Sequence, residues 1–216
     1  MSMNTPTTDA LIASLVDDLR PVQPLRSRRA FVMLGAALVF TVLAVVWLEG
    51  LRADLLNVRF DPLFLIASGL YLLLGMAASV AVIMMGMPRV GNDTGGWKWA
   101  AAMAGLLPAV GTVMLFDGSH HGVLSTVYMG VPCTLAGMLS SSLTALLLVM
   151  WLRRGAPTSP ELAGLLTGVG AGSLGIFAFS FHCPLVDIVH IGLWHSLAVA
   201  LSAGLGRVIV PPLVRW

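Results

Sequence analysis

The chain has 216 residues, of which 57% are hydrophobic and only 10% charged, with a formal net charge of +2. A soluble globular domain carries about 25% charged residues, so the composition excludes an ordinary water-soluble domain and makes lipid the expected solvent. The small net charge gives no basis for direct nucleic-acid binding, and two cysteines are too few for a disulfide scaffold.

Residues 1–29 form a polar leader. Within it, "TTDALIASLVDDLRPVQPLRSRR" sets Leu11, Ile12, Leu15, Val16 and Leu19 on one helical stripe. Thr8 is the expected N-cap and Asp9 favours the helix dipole in the first turn. Pro21 stops the helix at about Arg20, so a short amphipathic helix is predicted over about residues 8–20, with Asp17 and Asp18 off the stripe. Such a helix can lie on the bilayer, pack on its own bundle, or dock in a groove of a soluble partner. Surface-binding helices usually carry a basic polar face, and this one is acidic, which suits a basic partner.

The first apolar run begins near residue 30, behind the leader and without a small-residue cleavage site, so it reads as a retained helix and not as a secretory signal. A membrane helix needs about 20 apolar residues. Six stretches qualify, near residues 30–48, 62–87, 99–116, 129–152, 162–181 and 188–205, leaving residues 211–216 as a tail. The predicted fold is therefore all-α: a polytopic bundle of six transmembrane helices over about residues 30–210, with the amphipathic helix before it. Gly164, Gly168 and Gly172 recur every four positions in the fifth span and mark a face for close helix approach.

An even number of spans puts both termini on one side, and the basic residues choose it. Arg20, Arg26, Arg28, Arg29, Arg89, Lys98, Arg153, Arg154, Arg207 and Arg215 fall in one set of segments; only Arg52 and Arg59 fall in the other. The positive-inside rule then places both termini in the cytoplasm. Trp97, Trp99, Trp151 and Trp216 at inner ends and Trp47 at an outer end fit an interfacial aromatic belt.

This topology gathers the chemistry at the outer ends. His120 and His121 follow the third span, Cys133 lies near the outer end of the fourth, and "FHCPLVDIVHIGLWH" brings His182, Cys183, Asp187, His190 and His195 to the last outer loop and the start of the sixth span. Two thiols on an oxidising face can form a disulfide if their Cα atoms come within about 7 Å. Thiolate, imidazole and carboxylate can also hold a soft or borderline metal ion, with Cys133, Cys183, His182, Asp187 and His190 as the candidate ligands. Asp187 and His190 share a helical face if the helix extends that far, whereas His195 lies off that line by about a quarter turn or more of an α-helix. No cofactor is obligatory on this reading. No Ser–His–Asp set, phosphate loop or metalloprotease motif is visible, and isolated cysteines do not make the close pair of a thiol oxidoreductase. A small transporter or metal-permeation protein would need polar groups at mid-membrane, for which Ser140, Ser141, Ser142 and Thr144 are the available residues.

The leader "LIASLVDDLRPV" directly before "LRSRRA", six spans without a soluble sensor domain, a cysteine in "GVPCTL", and "HCPLVDIVHIGLWH" together resemble the NrsF-type membrane anti-sigma factors, over essentially the whole chain. These are negative regulators of an extracytoplasmic-function sigma factor in proteobacteria. The resemblance implies a protein of the bacterial inner membrane whose leader, through Leu11, Ile12, Leu15, Val16, Asp17, Asp18 and Leu19, holds the sigma factor. It further implies that Cys133 and Cys183 are the family's cysteine pair, implicated in sensing oxidants or heavy metals, with a regulatory metal ion as an option.

Overall fold

The computed structural model describes residues 7–17, 25–58, 61–87, 95–117 and 123–214, with side chains from residue 127 onward in the last segment. The regular structure among them is helical, with no strand. In chain order the elements are α1 (Thr8–Asp17), α2 (Ser27–Glu49), α3 (Ala53–Leu56), α4 (Pro62–Met85), α5 (Gly96–Ala104), α6 (Leu106–Phe116), α7 (Val123–Ser140), α8 (Ser142–Leu152), α9 (Pro160–Phe179), a π-helical turn (His190–His195) and α10 (Ser196–Val214). Six helical stretches are long and apolar enough to cross a bilayer: Ser27–Glu49, Pro62–Met85, Gly96–Phe116, Val127–Leu152, Pro160–Phe179 and His190–Val214. The chain is a membrane protein built as a six-helix bundle.

Local chemistry accounts for the boundaries. Asp61 caps α4 by accepting hydrogen bonds from Leu63 N (2.8 Å) and Phe64 N (3.4 Å), with Pro62 at the first helical position. Pro160 likewise opens α9. The third span is interrupted at Gly105, where Pro108 removes one ladder donor and its ring crowds the carbonyl of Ala104. The sixth span runs through Pro211 and Pro212 to Val214, past the expected end near residue 205. Proline is tolerated in a membrane helix because neighbouring helices and local adjustments re-satisfy the freed backbone groups.

Packing follows a lipid-facing logic. On α2 only Ala30, Leu34, Ala37, Thr41 and Val45 are buried, a single stripe at helical spacing. Its other face, with Phe40, Leu43 and Trp47, is exposed, which a bilayer accepts and water does not. By contrast α9 is enclosed: 14 of its 20 residues are buried, and it packs against α2, α4, α7, α8 and α10. It serves as the bundle axis because glycines let neighbours approach on several sides while Leu166, Leu174 and Ile176 fill the core between them. A Cβ on Gly168 would collide with the carbonyl of Ser202 in α10, and one on Gly164 with the carbonyl of Gly206. On other faces, a Cβ on Gly175 would lie 2.6 Å from Ser141 N, and one on Gly170 2.8 Å from Ser79 Oγ in α4. The glycine stripe expected from sequence is thus a backbone-to-backbone seam with α10, and further glycines extend such close contact around the helix.

Candidate functional site

At one end of the bundle, the connection from α2 to α4, the connection from α9 to α10 and the N-terminal half of α7 meet. Arg52 ties the first two together. Its backbone N–H donates to the Phe181 carbonyl (3.1 Å), its guanidinium binds both carboxylate oxygens of Asp54 (2.6 and 2.7 Å), and it lies 4.6 Å from the Phe64 ring centroid. Hydrogen bonding from Arg52 holds the Asp54 carboxyl below the usual carboxylate range. Arg52 was one of the two basic residues that broke the charge asymmetry, and here it is buried, paired and structural.

The segment that Arg52 anchors carries the cysteine. Cys183 is buried in a small cluster with Val45 of α2 and Phe179 of α9, against which Cys133, Ala136 and Leu185 pack. Its Sγ lies 3.9 Å from Cys133 Sγ and 3.6 Å from His190 Nε2. Ligand atoms of Cys133, Cys183 and His190 all lie within 4.8 Å of one another. The chain folds so that residues 50 apart in sequence meet, because α7 and the π turn pack side by side. Both cysteines are free thiols. The Cys133 thiol, followed by the His190 and His195 rings, pulls the Cys183 thiol below its ordinary range, against burial, which acts the other way.

Of the sequence-predicted ligands, His182 and Asp187 stand apart from this group. His182 Nδ1 bonds the Gly50 carbonyl (3.1 Å), and its ring packs on Phe179 with centroids 5.6 Å apart. It is a loop staple. Asp187 accepts the His190 backbone N–H (3.0 Å) and orients the start of the turn. His120 and His121 lie outside the described residues.

His195 was read as off the line of His190, and the structure corrects this. The spacing argument assumed 3.6 residues per turn, but His190–His195 is π-helical, with hydrogen bonds from i to i+5. A spacing of five therefore keeps both rings on one face, with centroids 5.3 Å apart. The turn is held open by its neighbours. Tyr71 of α4 donates to the Ile191 carbonyl (3.2 Å) and shares a hydrogen bond with Ser196 (2.9 Å), while Thr134 of α7 donates to the Trp194 carbonyl (3.1 Å). Tyr71 and Thr134 carried no motif, and the one available signal was the fifth-residue spacing of two histidines beside a cysteine.

Two chemistries fit this geometry. The thiols are close enough to be joined after a small movement. They are also spaced for a tetrahedral ion: metal–sulfur bonds of about 2.3 Å and metal–nitrogen bonds of about 2.05 Å set two sulfurs about 3.8 Å apart, and a sulfur and a nitrogen about 3.6 Å apart. The three residues are therefore close enough to hold a metal ion.

At the other terminus of the chain, α1 buries none of its residues, and Leu11, Ile12, Leu15 and Val16 are all exposed. The helix begins at Thr8, one position earlier than a cap at that residue allows; Leu11 N–H bonds the Thr7 carbonyl (3.0 Å). Asp17 is its last residue, and Asp18 and Leu19 lie outside the described residues.

Residues 15–216 match the family described as "NrsF: Negative regulator of sigma F". The chain is 29% identical over 214 residues to "Anti-sigma-F factor NrsF" of Caulobacter vibrioides (strain NA1000 / CB15N), covering 97% of this chain and 99% of that protein. It is 25% identical over 217 residues to "Probable anti-sigma-F factor NrsF" of Azospira oryzae (strain ATCC BAA-33 / DSM 13638 / PS), again over 97% and 99% of the two chains. No solved structure matches it. Since the match takes in every membrane span together with the segment that carries Cys133, Cys183 and His190, the chain belongs to the NrsF family, negative regulators of sigma F.

Proposed function

We propose that this protein is an anti-sigma factor of the bacterial inner membrane. Its cytoplasmic leader holds an extracytoplasmic-function sigma factor away from RNA polymerase. Oxidant or a thiophilic metal ion acting at Cys133 and Cys183, on the periplasmic side, releases it. The observation that carries the reading is the match of residues 15–216 to the family, whose described role is negative regulation of a sigma factor.

The geometry supplies a route for each part. The α1 stripe of Leu11, Ile12, Leu15 and Val16 is exposed, with no buried contact to the other described residues. Its acidic residues Asp9 and Asp17 complement a basic groove. At the far end of the bundle, Cys183 sits between α9 and α10, which pack backbone to backbone along most of their length. A bond or ion that draws Cys183 toward α7 favours one arrangement of these helices over another, and only such a differential interaction shifts a two-state equilibrium. The seam carries that shift to the cytoplasmic ends.

A transport role finds less support. Of Ser140, Ser141, Ser142 and Thr144, the Ser140 and Ser141 hydroxyls each commit their donor to a nearby backbone carbonyl, of Ala136 and Met138 (2.9 and 2.6 Å), and Thr144 is buried.

The test is affinity capture from detergent extracts, using the full chain and a form lacking residues 1–29. The full chain should retain a sigma factor, the truncated form should not, and oxidant or Cd2+ should elute it from the full chain. Retention of the sigma factor by the truncated form would remove the leader from the account.

A further inference from the structure

The cluster of Cys133, Cys183 and His190 offers three ligand atoms within 4.8 Å of one another, with spacings of 3.9 Å (Cys133 to Cys183 sulfur) and 3.6 Å (Cys183 sulfur to His190 nitrogen). His195 stands beside it on the same face of the π turn. Its ring is enclosed by His190, Tyr71 and Phe179, with centroids 5.3, 6.3 and 6.4 Å away. It is 2% exposed. Its Nε2 has no hydrogen-bond partner among the described residues, a state that folded proteins rarely leave uncompensated. A cavity of about 10 Å³ adjoins it, bordered by Cys183, Tyr71, Ser180 and His195, with neither Cys133 nor His190 in its lining; it leaves the His195 ring room to shift.

The backbone points the same way. An α-helical segment would carry His195 away from His190. The π turn brings it back, and two side-chain hydroxyls from separate helices, Tyr71 and Thr134, hold the Ile191 and Trp194 carbonyls in place. Such turns concentrate at functional sites because the extra residue disrupts the ladder and must be compensated elsewhere. Here the compensation places the His190 and His195 rings side by side, with His190 Nε2 3.6 Å from Cys183 Sγ; His195 stands outside the group whose ligand atoms lie within 4.8 Å of one another, so its ring must move toward the thiols to join it.

We propose that His195 is the fourth ligand of a four-coordinate Cys2His2 centre, formed with Cys133, Cys183 and His190, for a thiophilic ion such as zinc, cadmium or cuprous copper. The inference rests on the sensing reading above and makes it specific. On binding, the sulfurs ligate as thiolates, with any thiol proton released to solvent, the imidazoles ligate through an unprotonated nitrogen, and His195 Nε2 gains a partner. Two thiolates and two imidazoles select ions of soft or borderline character over magnesium or calcium. His182 and Asp187 take no part as ligands; the Asp187 carboxylate fixes the orientation of the turn through the His190 backbone N–H.

The experiment is titration of the reduced, detergent-solubilised full chain with Co2+, followed by displacement with Cd2+, read by optical absorption. The parent should bind one ion, with a thiolate-to-cobalt charge-transfer band and the intense ligand-field absorption of a four-coordinate centre. His195→Phe keeps an aromatic ring among Tyr71 and Phe179. It should weaken Co2+ binding by at least about 100-fold, beyond the 10–100-fold range seen on loss of outer-shell groups, and leave a charge-transfer band for two thiolates. His182→Ala should stay within about twofold of the parent. A His195→Phe protein with parental affinity and an unchanged ligand-field spectrum overturns the assignment. A parent that binds neither Co2+ nor Cd2+ overturns the metal centre altogether, while capture of the sigma factor, measured without metal, reports on the anti-sigma reading by itself.

Discussion

Mild oxidation of the reduced protein should join Cys133 to Cys183 within one chain. Their sulfurs are 3.9 Å apart and a disulfide requires about 2.05 Å, so each side must yield by roughly 1 Å. Cys183 lies in a connection outside α9 and α10, where such a movement does not break a helical ladder. The reaction removes two thiol protons and two electrons, which hydrogen peroxide accepts as it is reduced to water. Closing a loop over a separation of 50 residues is worth about 4 kcal/mol by chain entropy. That figure is an upper bound here, because the spans inside the loop remain inserted helices in the unfolded reference state. It corresponds to a rise in unfolding temperature of order 10 °C at most. Non-reducing gels should show a mobility change, mass spectrometry a loss of two hydrogens, and thermal unfolding in detergent an upward shift, all absent from Cys133→Ser and Cys183→Ser. Saturating Cd2+ should slow the reaction. If peroxide consumes both thiols while each sulfur only gains oxygen, the two do not meet in the folded protein and the proximity argument fails.

In the leader, Leu11→Asp with Leu15→Asp should weaken sigma-factor capture by a factor of about 100 or more, since burying each leucine side chain is worth roughly 1.5–3 kcal/mol; unchanged capture by a normally inserted double variant refutes the stripe as the contact. Single cysteines placed at Ser27 or Ser159, in a protein without the native pair, should resist a membrane-impermeant thiol reagent applied to the periplasmic face. Labelling of Ser159→Cys in intact cells contradicts the assigned orientation. Gly168→Ala, whose added methyl meets the Ser202 carbonyl, should destabilise the bundle by about 1–3 kcal/mol in denaturant titrations. Gly204→Ala, with nothing within 4 Å, should instead be neutral or slightly stabilising.

Much of the architecture could be read in advance because lipid imposes a simple rule. Every span must satisfy its own backbone, so length and apolarity alone located six helices, and proline or glycine at their ends set several boundaries. The seam was legible through Gly164, Gly168 and Gly172, and its partner face on α10 carries the same four-residue spacing of small residues in Ala198, Ser202 and Gly206, a sign the sequence reading passed over. The site was legible in composition and not in geometry. Clustering of chemistry-bearing residues pointed to Cys133, Cys183 and His190, but it equally nominated His182, whose ring serves the Gly50 carbonyl. His195 was set aside on a helical-wheel argument that fails wherever one turn carries an extra residue. That departure comes from tertiary hydroxyl contacts, Tyr71 from more than a hundred residues upstream and Thr134 from another span. No local propensity encodes them.

The seam between α9 and α10 also bears on how such a protein can change over evolutionary time. In an ordinary core, a side chain that grows can be matched by a neighbour that shrinks. At Gly168 and Gly164 the obstacles are the peptide carbonyls of Ser202 and Gly206, and every amino acid carries that group. No compensating substitution on the facing helix can make room; only a shift of the whole helix can. These positions should therefore vary independently of their contacts and hardly at all, while the lipid-facing surface of α2 drifts freely among apolar residues. A pair of helices fitted in this way has no soft layer to absorb a displacement at one end, so it moves as a single piece.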